Sequence, residues 1–285
     1  MRGMWVMVAL WLGFVPVGHA QDFDVDLGRG AVPVMVPDSY DPAEPLPLVV
    51  NLHGYGGWGA AHESYTQFGR LVDEQRFVYT YPDGLMDFWG SRYWNATDYC
   101  CDFFSSTDDT GYLTDLVNTI KDTVSIDDKR VYFVGHSNGG FMSYRMACEQ
   151  SEMVAAVASL AGATFDRPSE CGATEPVHVL QIHGTLDTVI LYDGDCFGGS
   201  CYPSAKETVR QWAQLAECEL DVERGPYLDL DTFIVGNDTG TYSVEECMDG
   251  GSAALWMIRN GSHSPWLTEN FAEEVLAYFF AHPKP

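Results

Sequence analysis

The chain has 285 residues, of which 41 are acidic and 15 basic, for a formal net charge of −26. A surface this acidic repels nucleic-acid phosphates and anionic membranes, which excludes both as partners and favours solubility. The length exceeds that of most single domains but suits one α/β sheet protein with insertions.

Met1-Arg2-Gly3 opens the chain, an apolar run follows over residues 4–14, and Gly18-His19-Ala20 precedes the polar Gln21-Asp22. One positive charge, a short apolar core and small residues at the last and third-last positions describe a secretory signal peptide cleaved near Ala20. The apolar run is shorter than the roughly 20 residues of a membrane-spanning helix. Residues 1–20 are therefore set apart, and residues 21–285 are expected to form one secreted, monomeric domain.

In chain order, residues 32–36 read as a first strand, which Pro33 confines to a sheet edge. Residues 46–52 form the next strand and end in the glycine-rich turn Leu52-His53-Gly54-Tyr55-Gly56-Gly57. A helix over 61–74 and a short strand over 77–80 follow. Trp58, Trp89, Tyr93, Trp94 and Tyr99 crowd the two loops after these early strands. Residues 109–126 repeat Leu113, Leu116, Val117, Ile120 and Val124 at helical spacing, with Asp108 or Asp109 as cap.

The apolar run Val131-Tyr132-Phe133-Val134 leads into Gly135-His136-Ser137-Asn138-Gly139, and residues 140–148 are helical in pattern. Strand, G-x-S-x-G turn and helix describe the nucleophile elbow of an α/β-hydrolase, where small residues permit a strained backbone that lifts the serine above the sheet edge. Strands at 154–160 and 177–182, a helix at 204–217, strands near 231–235 and 253–258 and a closing helix at 267–281 complete the chain. Strands alternating with helices imply crossover connections and a mostly parallel sheet flanked by helices. Ligands in such sheets bind beyond the carboxyl ends of the strands.

A serine nucleophile needs a base to take its proton, and the base needs a carboxylate to hold its tautomer. On this fold the order is nucleophile, acid, histidine. Asp187 stands just past a strand end in Ile182-His183-Gly184-Thr185-Leu186-Asp187, closer to the strand than Asp193 or Asp195. Of the histidines after Ser137, His178 lies inside a strand, His282 in the tail, and His183 is placed to brace the acid's loop. His263 lies in a loop between the last strand and the last helix, which makes it the base. The oxyanion donors are the backbone N–H groups of Asn138 and of Tyr55. His53, Trp58, Trp94 and Trp266 are candidate walls of the substrate cleft. This chemistry needs no cofactor.

Eight cysteines in an exported chain imply disulfides. Cys196 and Cys201 flank a short flexible loop, and Cys218 and Cys247 bracket a β-rich excursion. Cys100, Cys101, Cys148 and Cys171 are left to pair among themselves, the adjacent Cys100 and Cys101 taking different partners. There is no C-x₂-C pair and the histidines are scattered, so no metal site is expected.

As a set, these residues resemble the secreted polyhydroxybutyrate depolymerase-like esterases, a group that includes feruloyl and acetylxylan esterases. The resemblance rests on Leu52-His53-Gly54, Trp94-Asn95-Ala96 with Cys100-Cys101, Asp108-Asp109-Thr110-Gly111-Tyr112-Leu113 and Gly135-His136-Ser137-Asn138-Gly139-Gly140. It continues through Tyr144-Arg145-Met146-Ala147-Cys148, His183-Gly184-Thr185-Leu186-Asp187 and the Cys218/Cys247 pair, from about residue 30 to the end. It implies an α/β-hydrolase with Ser137, Asp187 and His263 as triad, and a hydroxyalkanoate, feruloyl or acetyl ester as substrate. Two features depart from the family pattern. His263 is followed by Ser264-Pro265-Trp266 rather than by tryptophan-proline, and no linker or polymer-binding domain follows the last helix. The second departure favours soluble esters or oligomers over crystalline polyester. A serine peptidase on the same fold and a catalytically silent binding protein are the alternatives.

Overall fold

The computed structural model of the protein describes residues 22–101, 106–248 and 250–285. The expected signal peptide and its cleavage point near Ala20 lie outside the described residues.

The chain opens with β1 (Phe23–Asp26), β2 (Ala31–Met35) and β3 (Leu46–Leu52), followed by α1 (Gly59–Thr66), a 3₁₀ turn (Phe68–Leu71) and α2 (Val72–Gln75). Next come β4 (Val78–Thr80), the small hairpin β5 (Leu85–Met86) and β6 (Arg92–Tyr93), α3 (Asp109–Thr123) and β7 (Ile126–His136). α4 (Asn138–Glu149), β8 (Ala156–Leu160), β9 (His178–Gly184), the hairpin β10 (Asp195–Phe197) and β11 (Ser200–Tyr202), and α5 (Ala205–Leu215) follow. The chain finishes with β12 (Glu223–Arg224), β13 (Thr239–Val244), β14 (Ser252–Ile258) and α6 (Asn270–Ala281).

Ten strands form one sheet in the order β1-β2-β4-β3-β7-β8-β9-β14-β13-β12. The run from β4 to β14 is parallel, and the two strands at each flank are antiparallel. Alternating side chains feed two cores. Leu48, Val50 and Phe133 pack under α3, α4 and α5, whereas Val49, Tyr132 and Val134 pack against Phe68, Leu71 and the α6 residues Phe271 and Phe279. Both faces of the central strands are covered, which is why β3 is buried along its whole length. This is the helix-flanked, mostly parallel α/β architecture expected.

The order matters for the site. From β3 the chain runs to β4 on one side, then crosses to β7 on the other. The carboxyl ends of β3 and β7 thus border the switch point of the sheet, where a crevice opens.

Several expectations need correction. β2 is not an edge strand, because β1 pairs with it from Phe23 to Asp26; Pro33 is tolerated because pairing with β4 begins only at Val34. The helix expected over 61–74 breaks at Gln67, whose φ of 58° ends α1. Residues 231–235 turn instead of extending: Asp231 accepts the N–H of Phe233 through its side chain and that of Ile234 through its carbonyl, each at 3.0 Å. The strand lies at β13 instead, paired along its length with β14.

Cys196–Cys201 and Cys218–Cys247 are disulfides. Among the remaining four, Cys148 pairs with Cys171, tying the end of α4 to the segment after β8. Cys100 and Cys101 do not take different partners; they face each other, because both partners that would have separated them are bonded together.

Candidate active site

β7 delivers Ser137 and α4 begins at the next residue. Ser137 has φ 54° and ψ −120°, a region that a non-glycine residue occupies only when its surroundings force it there. Its N–H is held by the Leu160 carbonyl at 2.8 Å. The flanking glycines have steric causes. A Cβ on Gly135 would collide with the Gly139 carbonyl, and one on Gly139 with the Leu52 carbonyl of the neighbouring strand. The elbow is thus pressed against the end of β3.

Three side chains from three strand ends converge. Ser137 Oγ is 3.0 Å from His263 Nε2, and His263 Nδ1 donates to Asp187 Oδ2 at 2.8 Å. Asp187 is fixed from behind. Its Oδ1 accepts the N–H groups of Val189 and Ile190 at 2.8 and 3.0 Å. His183 Nε2 lies 3.3 Å from Oδ2 and donates to the Ile190 carbonyl at 2.8 Å, while its Nδ1 accepts from Gln181. His183 therefore braces the acid's loop. Burial acts to raise the Asp187 pKa, but the hydrogen bonds from His183 and His263 outweigh it and hold the carboxyl well below its ordinary range.

The glycine-rich turn after β3 packs on the elbow: a Cβ on Gly54 would stand 3.3 Å from Ser137 Cβ. Within the turn, Gly56 donates to the Arg92 carbonyl at 2.8 Å and Gly57 to that of Gly54 at 3.0 Å. These bonds fix the turn, and Tyr55 and Ser137 line the same cleft. Asn138 is the first residue of α4, a position whose N–H has no partner within its helix.

His53 is wholly buried under this turn. It accepts from Gly84 N–H through Nε2 and donates to the Gly54 carbonyl through Nδ1, at 2.9 and 2.8 Å, so it stiffens the turn from below. Burial lowers its pKa. Trp94 is no cleft wall. It is fully buried, because its indole N–H finds the His53 carbonyl and its backbone clamps the Asn138 side chain. Trp58 does line the cleft, at 53% exposure. Trp266 stands outside the lining, edge-on to Phe233.

The cleft over Ser137 has a volume of about 300 Å³ and is lined by the expected His53 and Trp58 together with Tyr55, Tyr65, His263 and Ser264. Tyr65 ties α1 to the loop that carries His263 by donating to the Pro265 carbonyl at 2.8 Å. A larger apolar groove of about 480 Å³ lies between α5 and the β13–β14 pair and contains none of the three converging side chains.

His136 escaped the sequence reading. Its Nε2 donates to the His263 carbonyl at 2.9 Å, fixing the backbone that presents the imidazole. Burial first, and the neighbouring His263 second, lower its pKa to about 4, so it stays neutral at ordinary pH. Nothing in G-x-S-x-G marks the variable position before the serine, and its partner is 127 residues away.

A family model described as "Putative esterase" matches residues 28–171. The chain is 26% identical over 242 residues to feruloyl esterase B of Piromyces equi, covering 81% of this chain and 42% of that protein. It is 30% identical over 172 residues to a bifunctional acetylxylan esterase/xylanase of Neocallimastix patriciarum, covering 60% of this chain and 23% of that one. It thus spans less than half the length of these relatives. Among solved structures, an acetyl xylan esterase from Aspergillus awamori shares the fold at a TM-score of 0.63 and 15% identity, over 91% of this chain and 98% of that one.

Proposed function

We propose that this chain, which belongs to the putative esterase family, is a secreted serine carboxylic ester hydrolase working through a covalent acyl-enzyme. The observation that carries this reading is the unbroken relay from Ser137 Oγ through His263 to Asp187, at 3.0 and 2.8 Å. His263 Nε2 takes the serine proton as Oγ attacks the ester carbonyl. The N–H groups of Asn138 and Tyr55 receive the charge that develops on the carbonyl oxygen. The imidazolium, held by the ionised Asp187, protonates the departing alcohol and later activates water to release the acid. Three disulfides support folding in an oxidising compartment.

For substrate we infer feruloyl or acetyl esters on plant polysaccharide. The aromatic wall of Tyr55, Trp58 and Tyr65 suits a flat acyl group, and both curated relatives described above bear names of that class. Hydroxyalkanoate oligomers are the second reading. It is favoured by the exposed Met86 and Phe88 of the β5–β6 hairpin and by the exposed Phe233–Trp266 pair, an apolar rim able to rest on a polyester.

Ser137→Ala should abolish hydrolysis of a short nitrophenyl ester without unfolding the protein; retained turnover refutes the nucleophile. Turnover of methyl ferulate, acetylated xylan and hydroxybutyrate oligomers by the wild type then ranks the substrates. Preference for the oligomers would replace the first substrate reading by the second, and amide turnover exceeding ester turnover would make the protein a peptidase.

A further inference from the structure

We propose that Cys100 and Cys101 are a site of oxidative modification, closing a vicinal disulfide that positions Asn138. The other six cysteines are bonded in three pairs. Cys100 and Cys101 bring their sulfurs to 2.6 Å, closer than unbonded sulfur atoms approach. The backbone is prepared for this. Cys101 holds φ 74°, a left-handed conformation that an ordinary side chain rarely adopts, and a small ring between neighbours would lock it there. Thr97 shapes the turn, donating its N–H to the Cys100 carbonyl and accepting the Cys100 N–H on Oγ1, each at 3.2 Å.

The ring would sit against the oxyanion machinery. Asn138 Nδ2 donates to Cys100 Sγ at 3.4 Å and to the Trp94 carbonyl at 2.8 Å, while Oδ1 accepts the Trp94 N–H at 2.7 Å. Buried Cys100 is thus the third support of the residue whose backbone N–H meets the oxyanion. This positioning role rests on the catalytic reading above; the disulfide itself does not.

The oxidant is a low-molecular-weight disulfide such as glutathione disulfide. The thiolate of Cys101, more exposed than Cys100, attacks one oxidant sulfur and expels one thiol. The Cys100 thiolate then attacks the Cys101 sulfur of the mixed disulfide and expels the second. One S–S bond forms and one breaks, two electrons pass to the oxidant, and the two cysteine protons end on the released thiols.

The test is labelling of the wild-type protein, equilibrated with glutathione disulfide, acid-quenched, denatured and treated with N-ethylmaleimide before digestion. The peptide carrying Cys100 and Cys101 is expected to bear no label and to weigh two hydrogens less than its dithiol form. Two labels on that peptide, or a cross-link from either cysteine to another, overturns the site. In a second arm, Cys100→Ala/Cys101→Ala, with its three other disulfides verified by mass, should lower kcat by about three- to tenfold at unchanged KM. Unchanged kcat overturns the positioning role. A dead Ser137→Ala with a labelled peptide sinks the ring alone, whereas an active Ser137→Ala with an unlabelled peptide sinks the catalytic reading alone.

Discussion

Asp187→Asn separates a catalytic carboxylate from a merely structural one. The amide can sit two ways. With its oxygen toward Val189 and Ile190 it keeps both backbone bonds, now 2.8 and 3.0 Å, and turns its NH₂ to His263 Nδ1. Flipped, it keeps the bond to His263 but points the NH₂ at two backbone N–H groups and orphans both, a cost of about 1–3 kcal/mol for each. The first orientation is therefore favoured, and it forces His263 to carry its proton on Nε2. That nitrogen then cannot accept the Ser137 proton. His183 gives up its 3.3 Å contact with Oδ2 but keeps the bond from Nε2–H to the Ile190 carbonyl. A wrong tautomer in such a relay costs about four orders of magnitude in kcat, or ~5.5 kcal/mol of transition-state stabilisation. Steady-state hydrolysis of nitrophenyl acetate, paired with a thermal melt, measures it. The expectation is that large loss in kcat with a near-native melt and a KM within a few-fold. A kcat within tenfold of wild type, in a folded protein, would remove Asp187 from the mechanism.

Ser137→Gly should be inactive yet more stable than Ser137→Ala by about 1 kcal/mol, since glycine relieves the strain at φ 54° and loses part of the gain to chain entropy; equal urea midpoints would show that the elbow stores no strain. His178 is buried against Ser252, His282 and the Pro283 carbonyl, with Glu245 and Lys284 near, and burial lowers its pKa to about 4. Between pH 6.5 and about 4 the unfolded chain takes up a proton that the folded one refuses, so stability falls as pH drops through that window. His178→Gln should flatten the slope of unfolding free energy against pH there, and an unaltered slope would refute the assignment. Trp58→Ala removes an exposed ring from the cleft wall and should raise KM for methyl ferulate about fivefold while sparing KM for an acetyl ester; equal effects on both would show that Trp58 does not meet the acyl group.

Ser137 was legible in the sequence because the elbow imposes composition: no residue but glycine fits at Gly135 and Gly139 against the backbone beside them. Asp187 and His263 were legible because chain order and strand ends constrain where such residues stand. What stayed hidden depends on distant partners. The bond from His136 to the His263 carbonyl spans 127 residues, and the Asn138–Trp94 clamp spans 44. An aromatic in a loop reads alike whether it walls a cleft or fills a core. Trp94 became core because a buried carbonyl, that of His53, awaited its indole N–H. Pairing of adjacent cysteines was equally hidden, since only the meeting of Cys148 with Cys171 removes the alternatives.

The histidines around Ser137 set the charge of the site. Burial lowers the pKa of His53, of His62 and, to about 4, of His136, so three imidazoles stay neutral while Asp187 stays ionised. A single negative charge then faces the imidazolium that forms on His263 during attack. The rings of His136 and His263 are 4.9 Å apart. A proton on both would cost about 3 kcal/mol at an effective dielectric of 20, or roughly two orders of magnitude in rate. Keeping His136 neutral removes that penalty, and its pKa of about 4 predicts how far into acid the protection extends. The acid limb of kcat/KM should therefore follow one ionisation, with slope one, down to about pH 5. A limb of slope two above that pH would mean that His136 becomes charged in that range, and the electrostatic account of the site would fall.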